Sequence, residues 1–385
     1  TAIHPALGTF ADFEHLRRRA EALGMEIALD IAVQCSPDHP WVREHPEWFR
    51  HRADGTIAYA ENPPKKYQDI VPFDFQCEQW RRLWEAVRDV FRFWVEQGVK
   101  IFRVDNPHTK PFAFWEWLIA EIHRTHPDVL FLSEAFTRPK TMYRLAKLGF
   151  TQSYTYFTWR TEKEETAAYL VEVTTPPVAD FFRPNFWPNT PDILHATLQR
   201  GGPGMFEVRL TLAALSVGNW GIYGPAMELL ESTPREPGSE EYLDSEKYEI
   251  KPWNLDAPES LAPFIRRLNE IRRTEPALQR ARPPLVQAID DEHLLAWCRH
   301  DPATGNTVLA VVNMEPAETR RGRLALDFTP LGLANAPAIA AHDLLTGADE
   351  VWPSDGIEIE CSPEHPVQVY RLSAAAAASE EPEAV

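Results

Sequence analysis

This chain is short of cysteine, of positive charge and of long apolar runs. Its 385 residues hold only 4 cysteines, Cys35, Cys77, Cys298 and Cys361. They are scattered, with neither CxxC nor metal-type spacing, so they suggest no zinc ribbon and no redox pair. Reduced thiols are the default, and a cytoplasmic protein is the expectation. Lysine and arginine number 39 against 57 aspartates and glutamates, a formal net charge of −18. That balance argues against nucleic acid and anionic membrane as partners. A phosphorylated substrate would have to be held by a local basic cluster, not by the overall field. No apolar run approaches the ~20 residues of a membrane span, and no signal peptide is visible.

Aromatic and acidic residues, by contrast, are plentiful. Hydrophobic residues make up 44% of the chain, with 13 Trp, 10 Tyr and 20 Phe. The chain can bury a sizeable core and still spare rings for flat apolar ligand faces, although ordinary packing claims most of them.

Along residues 1–150 helix and strand patterns alternate. Helical periodicity covers residues 12–23, 78–97, 112–123 and 139–147, with Gly24, Gly98 and Gly149 as stops. Strand-like runs cover 25–33, 99–105, 129–134, 151–157, 181–187 and 220–223. Residues 36–72 read as a polar, proline-rich loop. Alternating β and α elements imply a parallel sheet, closed or open. The fold class expected is α/β, a (β/α)8 barrel, with about six of the eight strands present and roughly two β/α units lacking at the N-terminus. A helix at 261–273 precedes a change of pattern near residue 290. Short apolar runs at 294–297, 307–312, 322–328, 339–343, 357–361 and 367–372 then read as an all-β sandwich. The expected domains are 1–288, 289–373 and a disordered Ala/Glu-rich tail at 374–385.

Phe102-Arg103-Val104-Asp105-Asn106-Pro107-His108 carries the sharpest chemical signal. A buried parallel strand here delivers a carboxylate to its C-terminal end, where α/β barrels keep their chemistry. Glu134 ends the run Val129-Leu130-Phe131-Leu132-Ser133, and Asp192 follows Phe186-Trp187-Pro188-Asn189-Thr190-Pro191. Taken singly, each acid reads more often as a helix cap or a turn former. Together they supply the carboxylates that glycosyl transfer with retention uses. Arg103 and Asp105 share one strand face by period-2 alternation, and a neighbouring guanidinium favours the ionised carboxylate that a nucleophile needs.

At these residues the chain resembles the α-amylase superfamily, and within it the maltosyltransferases of glycogen metabolism that use α-maltose 1-phosphate as donor. The resemblance rests on an ordered set of segments: 29–40, 61–69 with its Asn-Pro-Pro-Lys-Lys-Tyr loop, 102–111, 133–136, 185–192, 221–225 and 238–248. It implies that Asp105 is the nucleophile, Glu134 the acid/base and Asp192 the stabiliser of the transition state. It implies further that Arg103 holds Asp105, and that Asn62, Lys65, Tyr67 and Asn106 bind the donor phosphate. Gln34-Cys35 stands where many amylases carry an Asn-His pair. The Asn serves calcium there and the His contacts sugar, so the resemblance implies no metal and an altered sugar subsite at Gln34. No cofactor is implied. The implied partners are the maltose 1-phosphate donor and an α-1,4-glucan acceptor, with a homodimer in a longer protein bearing a β-rich N-terminal domain.

The carboxylates alone do not separate transfer from hydrolysis, because both pass through one intermediate. An α-glucan hydrolase or 4-α-glucanotransferase is therefore the alternative within enzymes, and a non-catalytic amylase-like subunit the alternative outside them. The subunit reading fits poorly with the presence of Asp105, Glu134 and Asp192.

Overall fold

The computed structural model describes residues 1–62, 65–246, 249–353 and 356–375. Pro63 and Pro64 of the expected phosphate loop, the Lys247–Tyr248 end of the last family segment and the tail beyond residue 375 lie outside the described residues. The side chains of Asn62 and Lys65 lie outside them as well. The chain divides into two compact units, Thr1–Tyr154 and Thr155–Val385.

The first unit opens with α1 (Phe10–Ala22), which begins two residues before the expected start. Thr9 caps it, accepting from Asp12 N–H, and Asp12 answers with its carboxylate on the Thr9 N–H, a reciprocal capping box. Strand β1 (Ala28–Ile31) follows, shorter than the expected run. The stretch expected to be loop instead holds the short helix α2 (Pro40–Glu44) and a hairpin of β2 (Ala60–Asn62) and β3 (Lys65–Tyr67). Then come α3 (Trp80–Glu96), β4 (Ile101–Asp105), α4 (Phe112–His123), β5 (Leu130–Glu134), α5 (Pro139–Lys147) and β6 (Gln152–Tyr154). Within this unit β1, β4, β5 and β6 pair in that order, all parallel.

Alternation along β4 decides which side chains face which way. Phe102 and Val104 are completely buried on one face, while Ile101, Arg103 and Asp105 occupy the other. Phe102 packs 5.0 Å from Phe91 of α3 and 6.0 Å from Phe131 of β5, ring centre to ring centre. With Phe114, Trp115 and Leu118 of α4, these rings form the main core of the unit. Each buried ring contributes about 1.5–3 kcal/mol through area removed from water. The polar face of β4 is thereby held rigidly from behind.

The second unit adds α6 (Lys163–Thr174), β7 (Pro184–Phe186), α7 (Ala196–Arg200), α8 (Gly202–Ser216), β8 (Asn219–Trp220), α9 (Gly224–Glu228), α10 (Ala262–Thr274) and α11 (Pro276–Gln279). β7 and β8 are parallel neighbours. Every residue of α8 from Val208 to Ser216 is buried, so this helix has no amphipathic stripe to read. Carbonyls at its end and just past it are met by arginines: Arg299 donates to Ser216 O at 2.6 Å, and Arg272 to Val217 O at 3.2 Å and Gly218 O at 2.8 Å. Cations at a helix C-terminus also suit its dipole.

The C-terminal strands are β9 (Leu285–Ile289), β10 (Leu294–Asp301), β11 (Asn306–Asn313), β12 (Arg320–Ala325), β13 (Ala338–Asp343), β14 (Asp349–Pro353), β15 (Ile357–Cys361) and β16 (Val367–Ala374). They form an eight-stranded sheet in the order β14-β13-β16-β11-β10-β9-β12-β15. The sheet curls so that Leu309 and Val311 share one core cluster with Leu324 and Ile359. β9 and β14 are absent from the sequence expectation, and β16 runs on to Ala374, where tail was expected. All four cysteines are free thiols. No helix among the described residues is long and apolar enough to cross a membrane.

An ion pair between buried Glu275 and solvent-exposed Arg371 locks the elbow between α10 and α11 to this sheet. Glu275, 1% exposed, accepts from Arg371 Nε at 3.1 Å and from Asn306 Nδ2 at 2.6 Å. Burial alone would raise its pKa, but the bonds from Arg371 and Asn306 outweigh burial and the net shift is downward. A lowered carboxyl pKa stabilises the fold above the unfolded value, about 4.3, and that contribution fades as pH falls through the folded value. Arg371→Met should therefore destabilise the protein by about 1–3 kcal/mol at pH 7, less than for a wholly buried pair because water reaches Arg371. Urea unfolding at pH 7 and at pH 4 should show the deficit shrinking at the lower pH.

Candidate functional site

Parallel pairing brings the polar faces of neighbouring strands into one row. β1 pairs with β4 so that Asp30 lies beside Arg103, and β4 pairs with β5 so that Asp105 lies beside Glu134. Neighbouring strands lie about 4.8 Å apart, so carboxylates at paired positions are held close. Both acids stand at the C-terminal ends of their strands.

Arg103 ties the row together. Its Nη1 lies 2.7 Å from Asp30 Oδ2 and 3.1 Å from Asp105 Oδ1, and its Nη2 lies 3.5 Å from Glu134 Oε1. One guanidinium thus serves three carboxylates, as its planar fork of donors permits. Burial by itself would lower the Arg103 pKa, but Glu134 and Asp30 reverse it and the net shift is upward. Arg103 is a fixed cation. Tyr154, also buried, sits with its ring centre 5.9 Å from the Arg103 guanidinium carbon. Burial pushes its phenol up to about 12, with Arg103 pulling the other way.

Asn106 joins the two strand-end acids. Its main-chain N–H donates to Glu134 Oε2 at 3.1 Å, and its side-chain Nδ2 donates to Asp105 Oδ2 at 3.3 Å. It can do both because its backbone is left-handed, with φ 43° and ψ 52°. Asparagine tolerates that region better than most residues. Pro107 starts a 3-10 turn, Pro107–Thr109, whose carbonyl at Pro107 accepts from Trp115 Nε1 at 2.8 Å. Beyond it lies Lys110, a buried amine whose pKa burial lowers to about 8 against the pull of Asp105 and Glu134. Burial and Lys110 together lower the pKa of His108.

The other expected site residues are placed differently. Gln34 lines a cavity of about 630 Å³ with Ile31, Val33, Trp41, Phe73 and α3 residues, a lining that includes neither Asp105 nor Glu134. Tyr67 ends the β2–β3 hairpin, opposite Ala60. Among the described residues no hydrogen bond or ion pair links Gln34 or Tyr67 to the Arg103 row. Asn62 and Lys65 pair through their strand backbones where β2 ends and β3 begins, the end of the hairpin away from Tyr67.

Asp192 belongs to the second unit. It sits half-buried in a tight turn between Thr190 and Ile193, its N–H donating to Thr190 Oγ1 at 3.2 Å. The loop that carries it is clamped by the fully buried Asn189, which donates to Tyr223 O at 3.2 Å and Tyr242 Oη at 2.9 Å and accepts from Tyr223 N–H at 3.0 Å. Gly221 lets the loop close: a Cβ there would come within 2.4 Å of the Trp187 ring.

Three residues of the first cluster went unassigned in the sequence. Asp30 alternates correctly to share a face with Arg103, but only the β1–β4 register reveals the pairing. Tyr154 and Lys110 carried no signal of their own, since neither burial nor proximity to Arg103 or Asp105 is written in their local pattern.

Comparison with known proteins places this geometry in context. Residues 286–372 match a family model described as "GLGE, C-terminal". The chain is 53% identical over 373 residues to the alpha-1,4-glucan:maltose-1-phosphate maltosyltransferase of Methylacidiphilum infernorum, covering 97% of this chain and 56% of that protein. It is 54% identical over 355 residues to alpha-1,4-glucan:maltose-1-phosphate maltosyltransferase 1 of Streptomyces coelicolor, covering 91% of this chain and 52% of that one. The chain therefore spans a little over half the length of these relatives. Among solved structures, the maltogenic alpha-amylase AmyB of Thermotoga neapolitana superposes with a TM-score of 0.73 at 18% identity, over 97% of this chain and 84% of that one. The alpha-amylase of Geobacillus thermoleovorans also gives 0.73, at 15% identity, over 97% and 83%. At such low identity these two show the fold alone. It is the α-amylase fold, barrel-type α/β followed by an all-β region.

Removing the shared cation tests the row directly. Arg103→Met leaves Asp30, Asp105 and Glu134 facing one another without the guanidinium that contacts all three, and their mutual repulsion is relieved further when a proton binds. The loss in melting temperature against the parent should be largest near pH 8 and should shrink toward pH 5. A deficit independent of pH would mean that Arg103 acts through packing alone.

Proposed function

We propose that this chain carries the catalytic part of an α-1,4-glucan:maltose-1-phosphate maltosyltransferase, a retaining glycosyltransferase. The observation that carries the reading is homology to proteins of that name across 97% of the chain, combined with the Arg103-centred pair of carboxylates at paired strand ends. Because those relatives are nearly twice as long, the activity, substrates and partners are all part of the proposal.

In the first step the Asp105 carboxylate attacks the anomeric carbon of α-maltose 1-phosphate. The bond from that carbon to the phosphate oxygen breaks, and phosphate leaves with the bonding pair. A β-maltosyl ester on Asp105 results. Phosphate is a good leaving group and asks little of a general acid. In the second step Glu134 takes the proton of the acceptor 4-hydroxyl as its oxygen attacks the same carbon, releasing Asp105. Two inversions give net retention. Arg103 keeps Asp105 oriented between turnovers, and Asn106 spaces it from Glu134. Asp192 would bind hydroxyls of the reacting sugar and favour the oxocarbenium-like transition state. Asn62, Lys65, Tyr67 and Asn106 would clamp the donor phosphate, and Gln34 would shape the sugar subsite. In an enzyme of net charge −18 such a local clamp is needed to hold an anionic donor. The chemistry requires no cofactor or metal. The corresponding biology is α-glucan or glycogen synthesis in the cytoplasm, by a homodimeric protein.

Phosphate release from α-maltose 1-phosphate in the presence of a short malto-oligosaccharide tests the reading, with product masses followed in parallel. Products that lengthen by whole maltosyl units support it. Release without lengthening favours the hydrolase alternative, and no release overturns the proposal. Asp105→Ala should reduce transfer by about 10³-fold or more. Glu134→Gln should slow the second step most, so that intact mass after donor exposure reveals a maltosyl adduct that Asp105→Ala lacks. Lys65→Ala and Tyr67→Phe should raise the donor KM; a hydrolase of neutral glucans would be indifferent to both.

A further inference from the structure

The turn after β4 contains a buried cation that the mechanism above does not use. Lys110 is 7% exposed, a rare state for lysine unless it is paired. Its ammonium does not reach a carboxylate directly: its hydrogen bond, at 3.4 Å, goes to the main-chain carbonyl of Asn106. Two further donors converge on that carbonyl, Thr109 N–H at 3.1 Å and Thr109 Oγ1 at 2.7 Å. Asn106 is the residue that holds both strand-end acids, and it does so from a left-handed backbone. A left-handed non-glycine residue persists only where its surroundings over-determine it. Here the over-determination is visible: three of its polar groups are engaged, the N–H and Nδ2 by the acids and the carbonyl by the turn.

Resting on the assignment of Asp105 and Glu134 as the reacting pair, we propose that Lys110 is a positioning residue for them. Its ammonium pins the Asn106 carbonyl, so the peptide on one side and the amide on the other stay aimed at Glu134 and Asp105. The same buried charge acts through this peptide as a second countercharge to the pair, behind Arg103. The charged or titratable groups coupled to Lys110 are Asp105, Glu134 and His108. Helix α5, which packs against the turn, brings Lys140, Tyr143, Arg144 and Lys147 on its own sequence. Burial leaves Lys110 charged below about pH 8 and neutral above it. Burial, and then Lys110, push the His108 pKa down, against the pull of Asp105.

Lys110→Met and Lys110→Arg separate charge from packing. Lys110→Met should lower kcat for phosphate release by about tenfold or more with the donor KM little changed, because the loss falls on the reacting groups. Its acid limb should move to higher pH, since a carboxylate that loses a nearby cation is protonated more readily. Lys110→Arg should recover most of kcat and carry the alkaline limb to higher pH, because a guanidinium stays charged. Equal losses in both variants with unshifted pH profiles would overturn the proposal. A readout free of turnover is the NMR titration of the lysine side-chain signal that Lys110→Arg removes. It should titrate near pH 8 and move to lower pH in Glu134→Gln and in Asp105→Asn, each of which deletes an attracting charge. A signal unmoved in both variants would overturn the proposal even in an active enzyme. A signal that moves in a protein unable to release phosphate would uphold the coupling and refute the transferase reading instead.

Discussion

One guanidinium bears most of the burden in this structure. Arg103 contacts Asp30, Asp105 and Glu134 from the middle of a four-strand parallel row. Three acids on one face of a sheet would repel one another and resist being held at short range. The Arg103 fork makes the cluster tolerable, and its contacts with Asp30 on β1 and Glu134 on β5 cross from one strand to the next, so it also resists slippage of β1 against β4. A lysine could not do this, since a single ammonium lacks the fixed planar donors that reach three oxygens in two directions.

The rigid backing of that row is apolar. Phe102 and Val104, buried against Phe91 and Phe131, hold the opposite face of β4 in close-packed contact. Register and burial therefore support each other: a shift of one residue along β4 would turn Arg103 into the core and Phe102 toward the site. This is why a functional side chain on a central strand is positioned more tightly than one on a loop. Asp192, by contrast, rides on a loop of the second unit, and its loop needs dedicated polar clamps, Asn189 above all, to reach comparable order.

Local electrostatics explain how a chain of this composition could hold an anion, as the proposed function requires. The net charge of −18 repels phosphate at a distance. Within the first unit, however, Arg103 and Lys110 both lie beside the acid pair, and the field there is far from the average of the surface. Burial keeps such interactions strong because little water screens them. The same burial weakens the Lys110 proton, so the balance of charge at the site depends on pH in a way the exposed residues do not share.

The elements that could be read from the amino-acid order are those with strong local pattern. α4 and α5 fall on Phe112–His123 and Pro139–Lys147, as their periodicity indicates, and β15 on Ile357–Cys361. Asp105 and Glu134 were visible because apolar runs ending in an acid announce a strand end. The β2–β3 hairpin was not visible behind its prolines and lysines, nor was α8, whose burial on all sides erases the stripe that marks a surface helix. Local order along the chain thus determined which carboxylates stand at strand ends and that Arg103 shares a face with Asp105. Tertiary structure alone decided that Asp30 is the third acid on Arg103, that Asn106 turns left-handed to join the pair, and that Lys110 lies buried behind it. Periodicity fixes the direction of a side chain within its own element, whereas register and burial are properties of elements packed together.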